Sequence, residues 1–447
     1  MPQHAAPTPA HTPRDRACGP HCPDYCAIDF GTSNSALGLA VGTADAGMRL
    51  AVLEDGLTTM PTAVFYDADD GTRLYGRAAI AAYVDGVDGR LMRSIKSILG
   101  SDLMDETTEY AAGRAVRYID VVVAYLRRLR LTAEAQAGRP LVRVVLGRPV
   151  FFVDNDPVRD RKAQDTLAAA AQAAGFTEVA FQYEPIAAAL DFESTLQHET
   201  LVLVADIGGG TSDFSVVRAS PARHGMLDRR ADVLANHGVH VAGTDFDRAV
   251  NLAAIMPLLG LGSRSTRGHE VPSSIYFNLA TWHLINTTYT PLRLAQLRQL
   301  RPMYADPQAF ERLARVLRQR LGHLLAGRAE AAKIEAAQRG ASRIGLEAVE
   351  RGLHVDLDAP AQARALAPWI ERIVAAAGET CAQAGVPAQA IEALYFTGGS
   401  TGLTALTDAL AARFARARRA SGERFSSVVQ GLAISAQRRF APTRAGS

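Results

Sequence analysis

Apolar residues along this chain alternate between short β-rich runs and Ala-rich stretches with helical spacing. Two runs share one pattern: Cys26 to Val41 (CAIDFGTSNSALGLAV) and Leu201 to Arg218 (LVLVADIGGGTSDFSVVR). Each has an apolar run, an Asp, a Gly-containing turn ending Gly-Thr-Ser-polar, and a second apolar run. This pattern predicts strand, tight turn, strand. Arg143 to Gly147 predicts a buried strand, and Asp160 to Ala174 an Ala-rich helix ended by Gly175 as its C-cap. Phe181 to Leu190 predicts a strand end that enters a helix at Pro185, a residue suited to the first helical turn. Further on, Arg312 to Gln338 predicts a largely helical stretch and Ala363 to Ala384 a second helix. Ala393 to Thr397 predicts a short strand, followed by Gly398-Gly399-Ser400-Thr401 and a helix to about Ala417. Strand and helix signals in this alternation predict α/β layers.

The two Asp-led turns carry candidate chemistry. Glycines let the backbone approach a ligand closely. Successive N–H groups in such a turn form a nest for phosphate oxygens, and Thr or Ser hydroxyls add donors. An Asp at the strand end places a carboxylate beside those phosphates, where it can hold Mg²⁺ through the ion's water shell. One such turn is an ordinary hairpin feature. Two copies, roughly 180 residues apart, predict duplicated lobes facing each other across a ligand cleft. The strand, Gly-Gly turn and helix start at 393–404 offer a further nucleotide contact at a helix N-terminus, or a plain βα turn.

Composition narrows the field. The chain has 447 residues, 48% hydrophobic and 21% charged, with formal net charge +2. That suits two or three globular domains, and the near-neutral balance gives no argument for nucleic acid as a partner. No apolar run reaches the roughly 18 residues of a membrane span. Residues 1–24 read as a disordered tail without a signal-peptide core, and 441–447 as a second tail; the cytoplasm is the expected compartment. Cys18, Cys22 and Cys26 are spaced C-x3-C-x3-C, which is not a usual zinc pattern, and Cys26 leads into an apolar strand where a free Cys packs as a small hydrophobe. Lysine occurs only at Lys96, Lys162 and Lys333.

In order, the motifs resemble the heat shock protein 70 (DnaK) chaperone family of the actin-like ATPase superfamily. AIDFGTSNS is similar to its first phosphate motif and YEPIAAAL to its connecting motif. DIGGGTSDFSVV is similar to the second phosphate motif, and LYFTGGSTGL to the adenosine motif. HVAGTDFDRAV (from His240) and RAEAAKIEAA (from Arg328) also resemble family segments. FQYEPIAAALDFESTLQ, MPLLGLG and FSSVVQGLA look most like its YegD-like branch, which consists of the nucleotide-binding domain. The resemblance covers about Tyr25 to Phe440. It implies an actin-like (ribonuclease H-like, duplicated) fold, with lobe I at 25–200 and lobe II at 201–440 flanking a nucleotide cleft.

It further implies ATP or ADP with Mg²⁺ as ligands and an unidentified protein partner or client. By position, Asp29 and Asp206 would face the Mg²⁺ water shell. Gly31, Thr32, Ser33, Gly208, Gly209, Gly210 and Thr211 would hold phosphate oxygens. Glu184 and Asp213 would lie near the attacking water, although Glu184 is also placed to serve the Pro185 helix start. Gly398, Gly399 and Ser400 would sit by the nucleoside, with Glu330 and Lys333 reaching ribose or base.

Three departures from the family pattern carry expectations. The lysine that follows Gly-x-Ala-Ala is replaced by Ile80 (after Gly76-Arg77-Ala78-Ala79), and Lys96 matches a later, noncatalytic position. Hydrolysis is therefore expected to be slow or absent unless Arg93 or Arg77 compensates. Two adenine-stacking arginines are replaced by Ile334 and Gly402, which removes cation–π contacts worth about 0.5–2 kcal/mol each. No client-binding segment is expected after Phe440. A small-molecule kinase using Asp154 or Asp156 as base, and a filament-forming or nucleotide-sensing protein, are alternatives on the same fold.

Overall fold

The first Asp-led run folds as the hairpin β1 (Tyr25–Phe30) and β2 (Asn34–Ala40), extended by β3 (Met48–Leu50) and β4 (Thr59–Pro61). The computed structural model describes residues 23–40, 47–265, 268–421 and 427–441. The expected tails, with Cys18 and Cys22, lie outside these residues except at Pro23, Asp24 and Ala441. Asp24 is tied to lobe I: the Arg143 side chain donates to its carboxylate.

A small subdomain follows, with β5 (Ala63–Asp67), β6 (Arg73–Tyr75), α1 (Gly76–Asp85) and β7 (Gly89–Arg93), then the hairpin β8 (Thr107–Ala111) and β9 (Arg114–Arg117). Helix α2 (Tyr118–Ala137), β10 (Arg143–Arg148), α3 (Pro157–Ala174) and β11 (Glu178–Tyr183) complete the first sheet, in the order β11-β10-β1-β2-β3. Gly175 caps α3 at φ 110°, the left-handed conformation expected there. Helix α4 (Glu184–Glu193), with Pro185 in its first turn, crosses to lobe II.

The second Asp-led run is the hairpin β12 (Thr200–Ile207) and β13 (Ser212–Ala219), joined by β14 (Val233–Val239). Next come α5 (Gly243–Val250), α6 (Ser274–Ala280), α7 (Pro291–Leu300), α8 (Pro307–Arg318), α9 (Gly322–Arg339) and the hairpin β15 (Ala341–Gly345) and β16 (His354–Asp358). The chain ends with α10 (Ala359–Gln383), β17 (Ala393–Thr397), α11 (Thr404–Arg413), β18 (Arg418–Ser421) and α12 (Ser427–Phe440). The second sheet runs β14-β13-β12-β17-β18. The predicted helix over 312–338 is thus two helices. The break falls where Arg320 takes a left-handed φ of 55° and the Gly322 amide donates to the Tyr289 hydroxyl at 2.7 Å.

Strand alternation distributes the core. Cys26, Ile28 and Phe30 of β1 join α2 and α3 in the core of lobe I, while Leu203, Ala205 and Ile207 of β12 join α5, α9 and α10 in the core of lobe II. The opposite faces (Tyr25, Ala27, Val202, Val204) share a third core with α4 and α12. The last helix, expected to close lobe II, therefore lies against α4 and the β1–β10 side of lobe I. Glycine permits the crossing, since a Cβ at Gly431 would collide with the Ala187 carbonyl.

Candidate functional site between the lobes

Both Asp-led turns are anchored by their carbonyls. In the first, the Thr62 hydroxyl donates to Gly31 O (2.8 Å) and the Thr62 amide to Ser33 O (2.9 Å). A Cβ on Gly31 would overlap the Asn34 carbonyl, so the turn requires glycine. In the second, Gly208 O accepts from the Gly243 amide (3.2 Å) and the Ser400 hydroxyl (2.7 Å). Gly209 O accepts from the Thr244 amide (2.8 Å) and hydroxyl (2.9 Å). Helix α5 and the 398–402 loop thus fix this turn from behind. The two turns meet: Ser33 Oγ lies 2.7 Å from where a Cβ on Gly209 would be.

Four carboxylates converge beside these turns. Asp29 is the penultimate residue of β1, Asp206 and Asp213 are direct cross-strand partners on β12 and β13, and Glu184 starts α4 over Gly147. Gly398, at φ 87°, backs Asp206; a Cβ there would lie 2.8 Å from its Oδ1. Burial, then repulsion from Glu184, Asp213 and Asp29, pushes Asp206 up to about 8. Burial and Glu184 likewise raise Asp29. Burial raises Asp213, against a hydrogen bond from Thr211. Such shifts mark a site short of positive charge.

The cation that is present is Lys96. Its Nζ lies 2.7 Å from Glu184 Oε1, with the two side chains only 9% and 14% exposed. Burial works to lower its pKa, but Glu184, Asp29 and Asp206 together hold it above the ordinary lysine value. Lys96, expected at a later, noncatalytic position, thus enters the carboxylate group. Ser94, at φ 58°, turns the chain after β7 into a short 3-10 helix at Ile95–Ile98, which carries Lys96 inward. Meanwhile Ile80 packs on the apolar cluster of Ala63, Phe65, Ala79 and Ala82. Neither arginine offered as a substitute joins the carboxylates: Arg77 pairs with Glu54 at 2.9 Å, and Arg93 lies over the Trp282 ring at 4.3 Å.

Of the residues expected by the nucleoside, Ser400 reaches the second turn through its hydroxyl, Gly399 precedes it, and Glu330 is exposed on α9. Lys333 is neither solvated nor free; it pairs with Asp247 of α5 at 2.6 Å. Ile334 is 46% exposed. Asp156 caps α3 by accepting from the Arg159 amide, which gives it a structural task rather than that of a base. Cys26 is fully buried in β1. An open apolar groove of about 540 Å³ on α10 and α11, lined by Ile370, Val374 and Arg413 among others, contains none of the phosphate-turn residues.

Sequence reading missed a second feature, at the mouth of the seam. Tyr83 and Arg93 of lobe I meet Trp282 and His323 of lobe II. Tyr83 stacks on Trp282 (centroids 5.3 Å), and His323 meets both rings edge-on (5.3 and 5.0 Å). Arg93 also faces Glu330.

The duplicated Asp-led hairpins, the helix that crosses between two sheets and the carboxylates gathered from both lobes define a two-lobed protein of the actin-like ATPase kind. A family model described as "Hsp70 protein" matches residues 25–255, and the chain belongs to the Hsp70 family. The "Chaperone protein HscA homolog" of Aromatoleum aromaticum is 31% identical over 242 residues, covering 49% of this chain and 35% of the relative. That of Azotobacter vinelandii is 31% identical over 244 residues (50% and 36%), and that of Azoarcus sp. 30% over 239 (49% and 35%). The match thus spans about a third of each relative's length. Among the described residues, no helix is long and apolar enough to cross a membrane.

Proposed function

We propose that this chain binds ATP with Mg²⁺ between its lobes and acts as a chaperone-like clamp in the cytoplasm, its lobe closure read by a protein partner or client. The observation that carries this is the meeting of the two Asp-led turns, with their carbonyls tied back and Asp29 and Asp206 beside them. Anchored carbonyls leave the amides of Gly31 to Ser33 and of Gly209 to Thr211 for phosphate oxygens, while the Gly208 amide closes its own turn on Thr211 O at 3.0 Å.

The residues fit a hydrated Mg²⁺. The donors are hard oxygens on equivalent strand ends, and the upward shifts of Asp29 and Asp206 are what a divalent cation would relieve. Bound Mg²⁺ supplies charge neutralisation on the phosphates. Asp29 and Asp206 orient its water shell, Glu184 and Asp213 orient the attacking water, and Ser400, Gly399 and Glu330 border the nucleoside. Ile334 and Gly402 give the base no cationic stacking, so phosphate contacts dominate affinity.

The test compares ATP affinity with and without Mg²⁺ in wild type, Asp29→Asn and Asp206→Asn. The reading requires a Mg²⁺-dependent gain in the wild type that both variants largely lose. Equal gains in all three proteins would refute the site.

A further inference from the structure

We propose that Arg148 is a positioning residue for the phosphate site, a guanidinium clamp that fixes the start of α4 and with it Glu184; this rests on the nucleotide reading above. Arg148 ends β10, where its register partner on β11 is Tyr183, the residue before Glu184. Its side chain is only 11% exposed, so its charge needs a partner, which Asp160 of α3 supplies at 3.0 Å. One carboxylate would meet that need, yet the guanidinium does more. It donates to the carbonyls of Pro149 and Val150, at 3.0 Å each, and to Gln164 Oε1. Its Cζ also lies 5.2 Å from the ring centroid of Phe152 and 5.1 Å from that of Tyr183. Asp160 in turn accepts from the Phe152 amide at 2.6 Å. The side chain thereby joins α3, the chain after β10 and the residue that leads into α4.

Helix α4 gives the clamp a task. Its N-cap, Tyr183, makes no side-chain cap, and Pro185 in the first turn has no amide to donate. No side chain of its own fixes the helix entry, and the contact of the Tyr183 ring with Arg148 holds it from outside. Gly147, beside Arg148 in β10, lies under Glu184: a Cβ there would be 3.2 Å from Glu184 Cγ and Oε1. The end of β10 thus sets both the floor beneath Glu184 and the residue before it. The partners of Arg148 named above belong to lobe I and not to the Asp-led turns, so Arg148 acts through Glu184 rather than on the ligand. In the step served, a water oxygen bonds to the γ-phosphorus, the bond to the β,γ-bridging oxygen breaks with its electron pair left on ADP, and the water's proton passes by Glu184 to solvent. An ammonium at position 148 could keep Asp160 but not the planar fork of donors to both carbonyls and Gln164.

If Arg148 only stabilises lobe I, its replacement costs stability and leaves the chemistry alone. Single-turnover ATP hydrolysis, ATP–Mg²⁺ affinity and melting temperature are measured for wild type, Arg148→Lys, Glu184→Gln and the Arg148→Lys/Glu184→Gln pair. A misplacement of about 1 Å costs on the order of a hundredfold, so we expect Arg148→Lys to slow hydrolysis about 10- to 100-fold while affinity changes less than about threefold. In the Glu184→Gln background the same substitution should cost less than about twofold, because the group it positions is already gone. Tyr183→Leu removes the clamped ring and leaves the Arg148–Asp160 pair. It should slow hydrolysis in the same way, and it keeps the test open where Arg148→Lys fails to fold. Equal costs in both Glu184 backgrounds, or a loss of stability with an unchanged rate, overturn the inference. A wild type that binds ATP without ever hydrolysing it also overturns it, while leaving the binding reading intact. A wild type that binds no ATP refutes the underlying reading itself.

Discussion

Replacing Trp282 with Ala should loosen the mouth of the interlobe seam and speed nucleotide release. Trp282 stacks on Tyr83, receives Arg93 over its ring at 4.3 Å and meets His323 edge-on. Burial, opposed by Glu330 and Tyr83, lowers the Arg93 pKa, so this cation–π contact is partly desolvated and contributes about 1–2 kcal/mol. The aromatic contacts add about 0.5–1.5 kcal/mol each. Across the seam the ring's contacts with Arg93 and Tyr83 hold the lobes by about 1.5–3.5 kcal/mol, which at about 1.4 kcal/mol per decade shifts opening roughly 10- to 300-fold. Release that requires opening should accelerate by at least about tenfold. The assay is stopped-flow chase of a fluorescent ATP analogue. A Trp369→Phe background leaves Trp282 as the sole tryptophan, so that its emission reports opening in the parent protein. Arg93→Ala should act in the same direction, and the two effects should be less than additive because the residues share one contact. Trp282 is only half-buried, so global unfolding is not the expected route, and melting temperatures check this. A release rate unchanged within twofold in the folded variant would refute the reasoning.

Other outcomes follow from separate parts of the structure. Burial drops the His323 pKa from its ordinary 6.5 to about 4, so the folded state favours neutral imidazole. Its contribution is full above about pH 6.5 and is lost as the pH falls towards 4; release should quicken over that window, and His323→Phe should flatten the profile. Arg229 is buried between Glu193 (2.7 Å) and Asp232, where α4 meets the β13–β14 connection. Arg229→Met should destabilise by about 3 kcal/mol in denaturant titration, because two buried carboxylates lose one cation, although Asp232 keeps Arg223 and Glu193 keeps the Ser220 amide. Gly431→Ala should push α12 from α4 and cost about 1–3 kcal/mol in the same titration. Asp206→Asn should raise the melting temperature of the ligand-free protein at pH 8 by removing a like charge, while weakening nucleotide binding.

The hairpins, α3 with its Gly175 cap, the Pro185 helix start and β17 were legible because local chemistry decides them: apolar alternation, a required glycine, a proline at a helix start. Lys96 was not. Counting from Gly76-Arg77-Ala78-Ala79 leads to Ile80, whereas the position of Lys96 depends on the path of β7 and on the left-handed turn at Ser94, neither of which has a sequence period. The Tyr83–Trp282 contact joins residues some 200 positions apart, and neither lies in a motif. The return of α12 to lobe I was hidden for the same reason, since its partners β1, β10 and α4 lie more than 200 residues upstream. Lys333 could be read as exposed because its partner Asp247 sits on another helix.

The central claim is an ATP–Mg²⁺ site between two Asp-led turns, and calorimetric titration of the wild-type protein with ATP, with and without Mg²⁺, tests it most directly. The account predicts saturable heat with one site per chain and a clear gain in affinity when Mg²⁺ is present. No heat and no thermal shift at millimolar nucleotide, with or without the metal, would contradict it.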